Sequence, residues 1–292
     1  VRGIQSILAA TDFSSYSRYA AERAAMLGAT LAIQRGVLLH VLEQSWLENL
    51  KQFIGSSVKA KRKIIKNASQ ALDELADQIR EVSGFSLEPR VLTGNTLDAI
   101  VEAASDFSLL VLGARGAHPV RALALGTTSQ RLLGKTGQPV LVVKNKPLTP
   151  YTRVLVAVDF SEGSRKALEY SQIIAPEATI IVVHVFEPVL EKVLVYSGAS
   201  EDVIHESRMK ARMQTEAQLR RFIRKAGTGS FHRVGVVVQG HAPFKLPEIA
   251  RKRDIELIVV GKHGRWRIEE FLLGSVTLHV LSQSHCDVLV VD

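Results

Sequence analysis

The sequence predicts an α/β protein built from two doubly wound domains in tandem. Three observations carry this. Short apolar runs alternate with helical patterns, the same runs return in the second half of the chain, and a proline-bearing break separates the copies. Ile7-Leu8-Ala9-Ala10-Thr11-Asp12-Phe13-Ser14 reappears as Val154-Leu155-Val156-Ala157-Val158-Asp159-Phe160-Ser161. Leu38-Leu39-His40-Val41 answers to Val182-Val183-His184-Val185, and Leu109-Leu110-Val111-Leu112-Gly113 to Leu257-Ile258-Val259-Val260-Gly261. Pro139 to Val143 answers to Asp287 to Val291. An offset of about 147 residues is too long for a solenoid unit and marks a duplicated domain.

The runs Ile7–Ala10, Val37–Val41, Leu109–Leu112 and Val140–Val143 lack strict polar alternation, as befits parallel strands covered on both faces. Ser86–Leu92 is a weaker strand pattern. A helix is expected from Ser57 to Val82, where Ile64, Ala68, Leu72, Leu75, Ala76 and Ile79 share one face. Its counterpart runs from Asp202 to Ala226. Strands alternating with helices imply right-handed crossovers, with ligands at the carboxyl ends of the strands. The break Lys144-Asn145-Lys146-Pro147-Leu148-Thr149-Pro150 suits neither helix nor central strand, giving domains 1–146 and 151–292.

Composition narrows the class. The 292 residues are 46% hydrophobic and 23% charged, which is ordinary for a globular protein. No apolar run approaches the roughly 20 residues of a membrane span, and the first residues lack signal-peptide architecture, so a cytoplasmic protein is expected. One cysteine, Cys286, excludes an internal disulfide and a cysteine-rich zinc site. The net charge of +8 is compatible with anionic partners. The basic run Lys59, Lys61, Arg62, Lys63, Lys66 reads as a solvated helix face without interleaved aromatics, and Arg251-Lys252-Arg253 reads the same way.

The chemistry concentrates after the strands. Gly113-Ala114-Arg115-Gly116 is followed by nine residues and Gly126-Thr127-Thr128-Ser129; Gly261-Lys262-His263-Gly264 is followed by nine residues and Gly274-Ser275-Val276-Thr277. Glycines allow positive φ and close backbone approach. Gly126-Thr127 and Gly274-Ser275 fall where the last helix of each half begins, and a helix start offers free N–H donors and a partial positive charge to an anion. Turn glycines and ordinary caps are the plainer alternative, which the duplication disfavours. Asp12 and Asp159 are either helix caps or acceptors for nucleotide hydroxyl and amino groups. His40 and His184 read as structural, while the backbones of Val41 and Val185 suit an adenine edge. Arg115, Lys262 and His263 either offset phosphate charge or face solvent.

These motifs resemble those of the universal stress protein family, as two tandem domains of its nucleotide-binding branch. The Asp-Phe-Ser turns, Leu-Leu-His-Val, the doubled glycine pattern and the run Gly274 to Leu281 before Val-Leu-Val-Val carry the resemblance. It implies a five-stranded parallel sheet of order 3-2-1-4-5 in each domain, of the adenine nucleotide alpha hydrolase-like kind. It also implies ATP or AMP held without a Walker lysine, magnesium being an optional companion of the phosphates. The implied positions are Asp12, Val41, Gly113, Gly116, Gly126, Thr127 and Thr128, then Asp159, Val185, Gly261, Gly264, Gly274, Ser275 and Val276. Arg115 and His263 are carried with them as candidate phosphate neighbours. Thr127-Thr128 departs from the commoner Ser-Val or Ser-Thr, and both Gly94-Asn95-Thr96 and Gly240-His241-Ala242 from Gly-x-Pro, neither departure removing a contact that depends on a side chain; the second half is the closer to the family's binding pattern, so its site is expected to be the tighter. Family dimers pair through the last strand, and here Val140–Val143 would meet Val288–Val291 within one chain.

The favoured function is a stress-response sensor or regulator that binds adenine nucleotide and is not an efficient enzyme. Alternatives are a slow ATPase of the same fold, or a scaffold with vestigial sites. The His-x-x-His and Ser-Gly-Gly-x-Asp-Ser signatures of adenylyltransferases and ATP pyrophosphatases are missing from the first strands. Expected partners are the nucleotide, the other half of the chain, a second copy as an option, and a signalling protein of unknown identity. Neither nucleic acid nor membrane is expected.

Overall fold

The computed structural model describes residues 3–45, 58–116, 126–226, 233–264 and 273–292. The first half contains β1 (Ser6–Ala10), α1 (Ser15–Thr30), β2 (Arg35–Glu43), α2 (Val58–Ser83), β3 (Glu88–Gly94), α3 (Thr96–Ala104), β4 (Leu109–Gly113), α4 (Thr127–Lys135) and β5 (Val140–Val143). The second contains β6 (Arg153–Ala157), α5 (Glu162–Ile174), β7 (Thr179–Phe186), α6 (Val189–Tyr196), α7 (Glu201–Lys225), β8 (Arg233–Gln239), α8 (Ala242–Lys252), β9 (Leu257–Gly261), α9 (Ser275–Gln283) and β10 (Asp287–Val291).

The strands form one ten-stranded sheet of order β3-β2-β1-β4-β5-β10-β9-β6-β7-β8. Each half therefore runs 3-2-1-4-5, all parallel. The halves join where β5 and β10 pair antiparallel, with Leu141 opposite Leu289. This is the meeting of last strands that the resemblance implied.

Successive strand residues feed two cores because their side chains alternate between faces. Ile7 and Ala9 enter a layer with α1, α2, α5 and α7, while Leu8 enters the opposite layer with α3, α4, α8 and α9. In α2 the expected stripe is realised, with Leu72, Leu75, Ala76 and Ile79 all buried, whereas Lys61, Arg62, Lys63 and Lys66 are exposed. Ser57 and the side chain of Lys59 lie outside the described residues.

The third strand begins two residues later than its pattern suggested. Phe85 and Leu87 pack down into the core as the chain arrives from α2, and Gly28 and Gly36 make room for the Phe85 ring. A Cβ at either glycine would lie about 2.6 Å or less from that ring. The second strand continues past the expected end at Val41 to Glu43, and its counterpart past Val185 to Phe186.

Side chains also tie the seam. The Arg23 guanidinium lies 3.6 Å from Asp287 Oδ2 and stacks 4.0 Å over the Tyr151 ring. Tyr151 Oη donates to Asp287 Oδ2 at 2.6 Å, and the Lys144 N–H donates to Asp287 Oδ1 at 2.8 Å.

Candidate functional site

Each half bears a crevice at the carboxyl ends of its strands. The one in the first half has a volume of about 350 Å³ and is lined by Asp12, Val41, Gly113, Arg115, Gly116, Gly126, Thr127 and Thr128 among others. The one in the second half has a volume of about 440 Å³, with Asp159, Val185, Gly261, His263, Gly264, Gly274, Ser275 and Val276 in its wall. The sixteen residues singled out from the sequence thus gather at two equivalent places. The volumes are in the range of small-molecule sites.

The wall starts at the first strand. Thr11 N donates to Leu39 O at 2.8 Å and Val158 N to Val183 O at 2.9 Å, as β1 and β6 end. Main-chain groups two residues apart on a strand point the same way. Val41 and Val185 therefore aim their N–H and C=O groups to the side where β1 and β6 have stopped. That gives each crevice a donor and an acceptor whatever the side chain.

The Asp turns follow. Asp12 and Asp159 are not the helix caps; Ser14 and Ser161 are, each accepting from the N–H three residues on. This leaves the carboxylates over the crevice. Phe13 and Phe160 carry the turn at φ 64° and 66°, a left-handed conformation costly for a bulky residue. His40 and His184 hold it. Their Nδ1 atoms lie 2.8 Å from Thr11 O and 2.7 Å from Val158 O, so Nδ1 carries the proton that it donates, and each ring packs on the phenylalanine. The histidines hold the turn, as their type and place suggested, and His40 also lines the first crevice.

Of the two properties that glycine offers, closeness is the one used at Gly113, Gly116 and Gly264, and positive φ falls on the phenylalanines. Among the described residues of either glycine pattern none has positive φ, and Gly126 and Gly274 both sit at φ −60°. A Cβ at Gly113 would lie 2.7 Å from Ser17 N. One at Gly116 would lie 2.7 Å from Asp12 Oδ2, and one at Gly264 3.0 Å from Asp159 Oδ2. The turn is thus pressed against the carboxylate, with no space there for a side chain.

Gly126 and Gly274 are the N-caps of α4 and α9, without a side-chain cap bond. The first N–H groups of these helices, from Thr127, Thr128, Ser275 and Val276, have no intrahelical acceptor. They present donors and positive dipole ends to the crevice. Hydroxyls one turn in fasten the glycine turn: Ser129 Oγ donates to Gly113 O at 3.0 Å and Thr277 Oγ1 to Gly261 O at 2.7 Å.

The basic residues of the turns diverge. Arg115 lines its crevice and donates to Tyr16 Oη at 3.2 Å. His263 lines the other. Lys262 does neither of the things its sequence position suggested: only 5% exposed, it leaves the crevice and donates to Thr136 O of the first half at 3.1 Å. Sequence reasoning missed Ser17, Thr96, Ser164, Ala242 and Leu246, which also line the crevices. A serine five residues after each Asp was the available signal for two of them. Among the described residues no group of three or more His, Cys, Asp or Glu is placed to hold a metal.

An adenine nucleotide fits this chemistry. The crevice offers backbone donors and acceptors, a carboxylate, and a close glycine turn beside a helix start. Glycines keep the space that a Cβ would fill.

Comparison with known proteins agrees on the fold. The crystal structure of a universal stress protein from Archaeoglobus fulgidus superposes with a TM-score of 0.70 over 99% of this chain and 98% of that one, at 20% identity. The universal stress protein Slr1230 of Synechocystis is 24% identical over 98% of this chain and 99% of its own. Universal stress protein A homolog 1 of Coxiella burnetii is 32% identical over 48% of this chain and 96% of its own. The universal stress protein family matches residues 3–144 and again 150–292. The chain belongs to the universal stress protein family, with the family's domain present twice.

Proposed function

We propose that the protein is a regulatory or sensor protein that binds an adenine nucleotide, ATP or AMP, in each of two pseudo-equivalent crevices, one per domain (1–146 and 151–292). The observation that carries this reading is the pairing of a close glycine turn with an uncapped helix start in both halves. The phosphates lie on the N–H groups at the starts of α4 and α9, the base on the Val41 and Val185 backbones, and the ribose beside Asp12 and Asp159. A magnesium ion, where present, rides on the phosphates.

The arrangement favours holding over turnover. Each Asp lies on the adenosine side of the cradle, and His40 and His184 spend Nδ1 on a carbonyl.

The test is mass spectrometry of small molecules released by denaturing the purified protein, with thermal melts beside it. ATP or AMP at up to two per chain is expected. A ligand at 100 times its Kd adds about 2.7 kcal/mol of stability. Absence of released nucleotide together with melts unchanged by ATP, ADP and AMP rejects the reading.

A further inference from the structure

The two crevices share a plan but differ in one wall. In each, a helix start lines the crevice together with the valine backbone: Thr96 and Ile100 of α3 with Val41, and Ala242 and Leu246 of α8 with Val185.

Thr96 is fixed to the strand that carries Val41. Glu43, two residues further along β2, accepts through Oε2 from Thr96 N at 2.9 Å and from Thr96 Oγ1 at 2.5 Å. Asn95 Oδ1 accepts from Leu97 N and Asp98 N, so two side chains cap the start of α3. The bonds from the Thr96 hydroxyl and N–H hold the Glu43 carboxyl below its ordinary value, so it is ionised at neutral pH. An ionised carboxylate only accepts, and the short bond therefore carries the threonine's proton. A hydroxyl has one proton and two lone pairs. With its proton on Glu43, Thr96 Oγ1 offers a ligand an acceptor and no donor.

The second half has Ala242 at the place of Thr96 and Glu187 at that of Glu43. His241 makes no side-chain cap bond, and its Nε2 lies 3.9 Å from Glu187 Oε1. Alanine brings a methyl group to this wall and no polar atom.

We infer that Thr96 is a base-selecting residue, making the first crevice stricter than the second for a purine with an exocyclic amino group. This rests on the nucleotide reading above. An amino group has two N–H bonds: the Val41 carbonyl takes one and Thr96 Oγ1 the other. A carbonyl in the same place, as in hypoxanthine, sets lone pair against lone pair. A site built around a polar partner rejects the analogue that leaves it unpaired, whereas a methyl wall discriminates little. Both crevices lose the valine backbone pairing with hypoxanthine alike, so the difference between them is that of Thr96 and Ala242.

ATP and ITP, which share ribose and phosphates, test it by calorimetric titration of the full chain. A Gly274→Val background reports the first crevice and a Gly126→Val background the second. The first should prefer ATP to ITP about fivefold more strongly than the second, the worth of roughly one net hydrogen bond. Thr96→Val, nearly isosteric, should abolish that excess, and Thr96→Ser, which keeps the hydroxyl, should retain it. Ala242→Thr, with Glu187 to take its proton, should raise the preference of the second crevice. Loss of shape or folding would weaken ATP and ITP alike. A preference unmoved by either exchange, or equal weakening of both nucleotides in Thr96→Val, overturns the inference and leaves the nucleotide reading standing. A wild-type chain that binds neither nucleotide overturns both.

Discussion

Lys262 Nζ lies 3.1 Å from Thr136 O and 3.5 Å from Asp292 Oδ2, so the glycine turn of one half is fastened to the end of α4 in the other. Lys144 returns the contact, donating to Leu281 O and Ser284 O at 2.7 Å, near the end of α9. Cations at helix carboxyl ends are favourable, and these two staple the seam. Lys262→Met should lower the unfolding free energy by about 1–3 kcal/mol in urea titrations, through the carbonyl left in the interior. ATP affinity should stay within about twofold, because the Lys262 carbonyl, which accepts from Gly274 N, remains. A tenfold loss of affinity would put the amine at the phosphates.

The buried Arg23–Asp287 pair predicts a larger effect. Both side chains are under 9% exposed. Removing one partner strands the other charge, at about 3–5 kcal/mol. Arg23→Met and Asp287→Ala should each destabilise by that order, and the double variant by clearly less than their sum. Strict additivity in a double-mutant cycle would show the pair to be uncoupled.

Cys286 is buried, and desolvation pushes its thiol up to about 12. Iodoacetamide at pH 8 should leave the native protein unlabelled and modify it fully in denaturant, as read by intact mass. Between pH 9 and about 12 the unfolded thiol ionises while the folded one does not, so the folded state holds the extra proton. This group's contribution to stability is complete below pH 9 and lost as pH rises through that window. Cys286→Ala should flatten that part of the stability profile.

The glycines predict a separation of fold from binding. Gly126 and Gly274 have φ values open to any residue, and a Cβ there meets only ordinary neighbours at 3.6 and 3.4 Å. Gly274→Val should stay folded by circular dichroism yet weaken binding at the second crevice at least tenfold, about 1.4 kcal/mol. Gly126→Val should do the same at the first. If both bind like the wild type, the phosphates do not rest on these helix starts.

Turnover should be slight. ATP hydrolysis is expected far below the roughly 10 per second of a typical enzyme. A robust rate that Asp159→Asn abolishes would make this protein an enzyme.

The fold was legible because buried parallel strands write themselves as uninterrupted apolar runs, and duplication shows each run twice. The edge strand β3 was blurred for a physical reason: Phe85 and Leu87 are core residues of the connection, so apolar character began before the ladder did. The crevice residues were legible as residues standing just after strands. Their reasons were less so. Glycine suggested positive φ, but Gly116 and Gly264 are short because a carboxylate lies against them, and the strained φ passed to Phe13 and Phe160. Lys262 in the glycine turn left phosphate contact and solvent both open; only the packing of the two halves shows that a carbonyl of the other half claims it.

Antiparallel pairing of β5 with β10 has a directional consequence. Strands within a half all run one way, so the carboxyl ends of the two halves point in opposite directions. The mouths of the crevices consequently open at opposite rims of the sheet. A partner docked on one rim meets the contents of one crevice and is blind to the other. A single molecule that touched both mouths would have to reach around the sheet.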